Sequence, residues 1–396
     1  MAEAYDLVVL GAGTAGAAAA AACACRGLRV LVLEAGPVDG AGAHWFNGVP
    51  EWAFHESGFG PPEGEERATQ GVPFHLVAGW GPERVVVRDH DLIEVDMAHM
   101  SARLRSMAAD AGAVLRGGQR VGPDILDRFQ GPIVDATGLS GLNLLGLDPV
   151  AKEDLCVAAQ GTWAVKDVQA ARRWFAGHAV AEGETLCFTA IAGGYSIVNV
   201  RLEGEHLAML TGAIPALGHP SGVQLAERFA AETPWVGERL RFGARAVPLA
   251  PPPPRVARGR IAAIGDAARQ VFGSHGSGIA QQLLAASILA DALATGAGVE
   301  AYDRRWRRRY GGLLAGADAF RRFSCTLDPE QLRALMGSGV IPPGMARQTL
   351  RQRPPRPDPG LLGALRGLAT NPGLARKMLP VLARMPLLEA RYRLGR

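Results

Sequence analysis

Apolar positions open the chain as a short run of β-formers, Tyr5-Asp6-Leu7-Val8-Val9-Leu10, that stops at Gly11. An unbroken run of this kind marks a strand buried on both faces, as in a parallel sheet. Gly11-Ala12-Gly13-Thr14-Ala15-Gly16 follows and enters an alanine-rich stretch, 17–24, that predicts a helix. A second apolar strand, Arg29-Val30-Leu31-Val32-Leu33, ends at Glu34. From residue 154 to 250 the periodicity changes, and 155–165, 185–192, 195–202 and 206–212 read as strands of one antiparallel sheet. Segments 167–178 and 221–233 carry apolar residues at helical spacing behind the N-cap candidates Asp167 and Ser221. A third apolar strand, Gly259-Arg260-Ile261-Ala262-Ala263-Ile264, ends in Gly265-Asp266. It leads through Gly273-Ser274-His275-Gly276-Ser277-Gly278 into a long amphipathic helical pattern, 279–293.

These blocks predict an α/β fold: a Rossmann-like dinucleotide lobe, an antiparallel-sheet lobe laid across it, and a helical C-terminal extension. Length asks for more than one unit, because single cores stop growing near about 250–300 residues. The four prolines from 251 to 254 cannot sit in a helix or a central strand, so they mark the return from the sheet lobe. The expected divisions are 1–150 with 255–320 for a discontinuous nucleotide lobe, 151–254 for the sheet lobe and 321–396 for the extension.

The first block carries chemistry as well as structure. Its glycines, Gly11, Gly13 and Gly16, serve a tight turn, the approach of a pyrophosphate to bare backbone, and close helix-to-strand packing. The phosphates would meet a helix N-terminus, whose unpaired N–H groups and dipole favour an anion. Glu34, at the end of the second strand, is placed to accept both ribose hydroxyls of an adenosine. The same carboxylate opposes a 2′-phosphate, so the tightly held dinucleotide is not NADP. This block alone leaves NAD and FAD open.

The Gly265-Asp266-Ala267-Ala268 strand end and the later Gly276-x-Gly278 decide between them. With Ile133-Val134-Asp135-Ala136-Thr137-Gly138 as a third piece in order, the chain resembles FAD-dependent enzymes of the p-hydroxybenzoate hydroxylase-like class, especially the geranylgeranyl reductase and flavin-dependent halogenase branches. The resemblance implies a FAD-binding lobe in which Asp266 bonds the ribityl chain. It also implies that Gly276 and Gly278 admit backbone to the flavin pyrimidine edge, and that Asp135 and Gly138 support the pyrophosphate side. A helix starting near Gly278 would aim its positive end at the part of the reduced flavin that holds negative charge. There are departures. Met97 stands where many relatives carry an Arg, Ala35-Gly36-Pro37 offers no cation to the phosphates, and Gly193-Gly194-Tyr195-Ser196-Ile197 is the nearest match to the aromatic signature of the halogenases.

The implied activity is an oxidoreductase acting on a hydrophobic small molecule. Geranylgeranyl reductase-like reduction of a double bond stands first, ahead of aromatic hydroxylation by a monooxygenase of the same fold and of a redox-neutral cyclisation that uses FAD as scaffold. A FAD-holding binding protein without turnover is a further alternative. No second nucleotide fingerprint is visible, so electrons would come from transiently bound NAD(P)H or from a separate electron-donor protein. His275 is the proton-handling candidate, and His44, Trp45, Trp163 and Tyr195 are the substrate-pocket candidates.

Composition adds exclusions. With 48% hydrophobic and 20% charged residues the chain is not a disordered one, and 42 Lys and Arg against 38 Asp and Glu leave too little basic excess for a dedicated nucleic-acid binder. Five cysteines at 23, 25, 156, 187 and 325 form no CxxC pair or metal-ligand cluster, so no metal site or disulfide framework is expected. Cys23 and Cys25 read as small buried hydrophobes in the first helix. No leader pattern or 18-residue apolar run is present, which points to a cytoplasmic enzyme. Arg304, Arg305, Arg307, Arg308 and Arg309 around Trp306 read as a solvated helix face. Near the end, Arg376, Lys377, Arg384, Arg391 and Arg393 lie among Leu379, Leu382 and Met385; such a basic amphipathic stretch either rests on an anionic membrane or packs against protein.

Overall fold

The structure is a computed structural model and describes residues 5–69, 71–354 and 359–395. Its first sheet has six strands in the order Ala257–Arg258, Ile261–Ala263, Ile133–Asp135, Leu7–Leu10, Val30–Leu33, Val114–Arg116. Every pairing is parallel except that of Ala257–Arg258 with Ile261–Ala263. Strands from residues 7–135 and 257–263 therefore lie in one sheet. The Thr14–Ala24 helix is buried at all its residues, because alanine and glycine side chains let it lie flush between the sheet and the Ile279–Ala294 helix.

Two local expectations change here. The Ile279–Ala294 helix is buried on most sides rather than on one stripe, since it runs between the Thr14–Ala24, Glu51–Ser57 and Gly298–Trp306 helices. Cys23 is buried, with its thiol pushed up to about 12 by desolvation, but Cys25 stands exposed just past the helix end.

The second sheet has seven strands in the order Val236–Pro248, Leu155–Val165, His206–Ala213, Ser196–Glu203, Thr185–Thr189, Phe74–Ala78, Arg84–Val87. The four strands expected from the sequence are all present. Asp167 caps the Val168–Gly177 helix, and Ser221 and Gln224 form a capping box on the Gly222–Glu232 helix. Two differences matter. Phe74–Ala78 and Arg84–Val87 come from before residue 150, so the expected division crosses this sheet, and Thr185–Thr189 joins Phe74–Ala78 in parallel. Val236–Pro248 is an edge strand whose many exposed residues, arginines among them, hide it from a hydrophobicity reading. A third sheet of Phe46–Pro50, Leu92–Asp96 and Arg67–Thr69 falls in sequence between the Val30–Leu33 and Val114–Arg116 strands of the first sheet.

The C-terminal extension packs on its own protein. A π-helical turn, Arg307–Gly311, joins the Gly298–Trp306 and Gly312–Ser324 helices. Trp306 is fully buried and Arg309 pairs with Glu56, so that basic cluster is only in part a solvated face. Arg353 lies over the Trp52 ring at 3.4 Å and also pairs with Glu56. Most of the proline-rich break that follows, 355–358, lies outside the described residues. Gly311 and Gly312 form a notch for the last helix, Pro372–Arg393: a Cβ on Gly311 would fall 2.3 Å from the Tyr392 ring, and one on Gly312 would fall 2.8 Å from the Glu389 Cα.

A buried ion network ties the extension to the sheet lobe. Arg321 donates to Asp154 and Asp318, both at 2.7 Å, and Arg322 reaches the second oxygens of the same two carboxylates. Removing one partner strands a buried charge, whereas removing both does not. Asp154→Ala should therefore cost about 3–5 kcal/mol in urea unfolding, and Asp154→Ala with Arg321→Met should cost less than the two single changes added together.

Candidate functional site

The strand ends of the first sheet open into one cleft, lined by Gly13, Thr14, Ala15, Ala136, Gly138, Arg245, Asp266, Gly276, Gly278 and Gln282 among others. Each of the three sequence blocks contributes to it. Gly11 has φ +100°, a left-handed backbone, and a Cβ on Gly16 would sit 2.0 Å from the Gly11 carbonyl oxygen. Gly16 is thus a packing glycine. Gly13 is different: a Cβ there meets nothing closer than 3.6 Å, so its bareness keeps the cleft floor open rather than holding the fold together.

Glu34 is held in place by main chain. One carboxylate oxygen accepts the Ala12 N–H at 2.7 Å and the other accepts the Gly36 N–H at 3.0 Å. A carboxylate oxygen has two lone pairs, so each can accept a further hydroxyl. Buried Arg105 braces the loop that follows 35–37 by donating to the carbonyls of Ala41 and Asp39, and it is not among the cleft-lining residues. Burial lowers its pKa, with Asp39 and Glu34 opposing.

Asp135 does not reach the cleft through its side chain. It is buried and accepts from the Thr137 N–H, the Thr137 hydroxyl and the Leu144 N–H, so it fastens its own loop while Ala136 and Gly138 face the cleft. Asp266 does line the cleft, and its partners are weak: Gln282 Nε2 at 3.5 Å and Arg245 at 3.8 Å. Burial pushes its pKa up, with Arg245 pulling the other way. A desolvated carboxylate with spare acceptor capacity fits a hydroxyl-bearing ligand such as the ribityl chain. Gly276 has φ +73°, and a Cβ on Gly278 would lie 2.9 Å from the Gln270 carbonyl oxygen.

His275 stands apart from this lining. Its ring packs on Phe272, with centroids 4.9 Å apart, and its Nε2 is buried without a partner. Burial pulls its pKa down from 6.5 to about 4, with the Thr349 main chain opposing. It is a neutral ring turned towards the C-terminal extension and not among the cleft residues. Tyr195 is buried beneath the same loop, its hydroxyl 3.3 Å from where a Cβ on Gly276 would be, and burial keeps it protonated. Trp163 is a core residue of the sheet lobe, packed edge-on to Phe242, and lines none of the spaces at the site. His44 and Trp45 do line one: a cavity of about 730 Å³ under the sheet lobe. Gln160 fixes that aromatic loop by bonding both the N–H and the carbonyl of Phe46.

Cleft and cavity share a wall. Gly42, Ala43, Trp45 and Arg245 line both. The sequence reading missed Arg245, which sits on the unexpected edge strand, and Gln282, whose only signal was a polar pair in an apolar helix. Met97 is fully buried at the start of a helix capped by Asp96, so core packing has taken over the position of the absent Arg.

The glycine floor, the tethered acid and the underbonded Asp266 together fit a flavin dinucleotide, and known proteins agree. Residues 6–233 match the FAD binding domain family. The chain belongs to that family, and it is a FAD-dependent oxidoreductase. Digeranylgeranylglycerophospholipid reductase 2 of Methanothermobacter thermautotrophicus is 26% identical over 374 residues, covering 84% of this chain and 91% of that protein. A geranylgeranyl bacteriochlorophyll reductase-like structure from Thermoplasma acidophilum has a TM-score of 0.74 at 16% identity, over 95% of this chain and 99% of that one. The p-nitrophenol 4-monooxygenase of Pseudomonas putida gives 0.63 at 16% identity, over 89% and 99%. At these identities the two structures speak for the fold.

Two outcomes follow from this geometry. Gly13→Val and Glu34→Arg should each yield folded protein that has lost its yellow colour, read by visible absorbance against circular dichroism; retained flavin in either would contradict the cleft assignment. The second concerns His275, whose pKa is lower folded than unfolded. Between pH 6.5 and 4 the unfolded chain takes up a proton that the folded ring refuses, so stability must fall as pH falls through that window. His275→Gln should flatten the decline of Tm from pH 7 to pH 4.5, and an unchanged decline would show that the ring is free to ionise.

Proposed function

We propose that this enzyme reduces carbon–carbon double bonds in the isoprenoid chain of a lipid. The shared wall between flavin cleft and cavity carries the reading: a cavity of about 730 Å³, within the usual size range of ligand pockets, meets the cofactor site across Trp45 and Arg245. Trp45, Phe46, Phe242, Ala68 and Ala208 give that cavity apolar surface for a chain, and Arg241 and Arg245 give it cations for an acidic headgroup. The reductase of Methanothermobacter, matched over most of both chains, acts by its name on a lipid of this kind.

FAD, when bound, supplies the hydride chemistry. The chain's own contribution is placement. Gln160 holds the aromatic loop, and Trp45 forms part of the partition between the cofactor cleft and the cavity. Arg201, paired with Glu94 and Glu203, lines the same cavity, so its positive charge is largely neutralised by the protein itself. Arg245, whose nearest acid is Asp266 at 3.8 Å, keeps more of its charge for a ligand. Electrons would arrive from transiently bound NAD(P)H or from a separate reductase, in keeping with a single dinucleotide motif in the sequence.

An anaerobic assay separates this from its alternatives. Chemically reduced enzyme, mixed with a geranylgeranyl lipid in the absence of oxygen, should reoxidise its flavin and give product two hydrogens heavier. Dependence on oxygen with gain of one oxygen atom would make it a hydroxylase, and an unchanged product mass would make it a cyclase or isomerase. Phe242→Ala, at a side chain that lines the cavity and not the cleft, should raise KM for the lipid several-fold while leaving flavin content unchanged.

A further inference from the structure

Of the ten large hydrophobic side chains that stand exposed among the described residues, six are leucines from position 361 onward: Leu361, Leu362, Leu365, Leu379, Leu387 and Leu394. They are not scattered. Leu361, Leu362 and Leu365 share one side of the Leu361–Thr370 helix. Leu379, Ala383, Leu387, Ala390 and Leu394 recur every three or four residues along the outer side of the Pro372–Arg393 helix and its end, and all are exposed. The inner side is already used: Leu374 and Met378 are buried, Met385 meets Gly316, and Tyr392 and Glu389 fill the Gly311–Gly312 notch. The outward leucines therefore cover nothing in this protein.

Their surroundings are basic. From 359 to 396 there are seven Lys and Arg against one acid, Glu389, in a chain whose net charge is +4, so the rest of the protein is net negative. Glu389 itself is paired with Arg393 at 2.9 Å. Arg366, Arg376, Arg384 and Arg391 are exposed beside the leucine stripe. Among the described residues no helix is long and apolar enough to cross a membrane.

We propose that this face is a docking surface for an anionic lipid bilayer, on which the two helices lie in the interface plane with leucines inserted and arginines at the headgroups. Apolar stripe and flanking cations together are what such a surface recognises. A second copy of the chain is the poorer occupant. A two-fold pairing would set the same patch against itself, bringing arginines together with no unpaired acid to answer them. Docking here does not depend on what fills the cavity, so it stands or falls separately from the reductase reading.

The test is co-sedimentation of the full flavin-loaded chain with vesicles. Vesicles of phosphatidylglycerol and phosphatidylcholine in equal parts should carry the protein down, pure phosphatidylcholine should not, and added salt should release it. Two double variants probe the surface separately: Leu362→Asp with Leu387→Asp, and Arg376→Glu with Arg384→Glu. Each should weaken partitioning by roughly tenfold or more, since a single basic residue near an anionic surface is worth about fivefold. Flavin content and Tm equal to the parent's establish that each has folded, and the two variants answer independently. Protein that stays in the supernatant with anionic vesicles, or variants that sediment like the parent, would overturn the proposal. So would a dimer seen in sedimentation velocity and abolished by Leu387→Asp, which would assign the face to a second copy.

Discussion

Main-chain pairing of the Ile133–Asp135 strand with Leu7–Leu10 on one side and Ile261–Ala263 on the other is the constraint on which the site depends. It places three strand ends from distant parts of the chain at one edge. The Ala136 N–H donates to the Leu10 carbonyl and the Ile264 N–H donates to the Asp135 carbonyl, so each loop leaves the sheet in register with its neighbour. Asp135 then spends its side chain on its own loop. The consequence is a cleft whose floor is main chain and whose shape does not rest on mobile side chains. Ligands of open α/β sheets bind at the carboxyl ends of such strands for this reason.

Around that rigid floor the polar groups are unevenly satisfied. Glu34 is held by two N–H groups, whereas Asp266 has only long contacts to Gln282 and Arg245. A desolvated carboxylate left short of partners is costly unless a ligand completes it. Arg245 links the two halves of the function. It belongs to the sheet lobe, faces an acid of the flavin lobe and borders both the cleft and the cavity.

The flavin lobe was legible in the sequence because its demands are local: a bare turn, a helix of small residues, an acid at a strand end. Four strands and two capped helices of the sheet lobe were legible by period and cap. What escaped depended on tertiary placement. Val236–Pro248 earns its strand by pairing with Leu155–Val165, not by apolar character, and with it went Arg245. Phe74–Ala78 joins the sheet lobe across about a hundred residues, which no local pattern records. His275 and Trp163 carried the right chemistry for a site, but a ring's direction is set by its neighbours: Phe272 and the Thr349 main chain for one, Phe242 and the lobe core for the other.

The C-terminal extension shows the same division between what fixes a helix and what it presents. Its docking is fully accounted for on the inner face, where Gly311 and Gly312 let the Pro372–Arg393 helix approach to backbone distance and Leu374 and Met378 complete a core. Polar residues would serve the outer face equally well for folding, since an exposed side chain adds little packing energy. Single exposed leucines are common on soluble proteins, but aligned ones flanked by like charges are not. Leu362 at 79% and Leu387 at 69% exposure are therefore not explained by packing within the fold. The basic residues from 359 to 396, seven against one acid, are concentrated on the same helices.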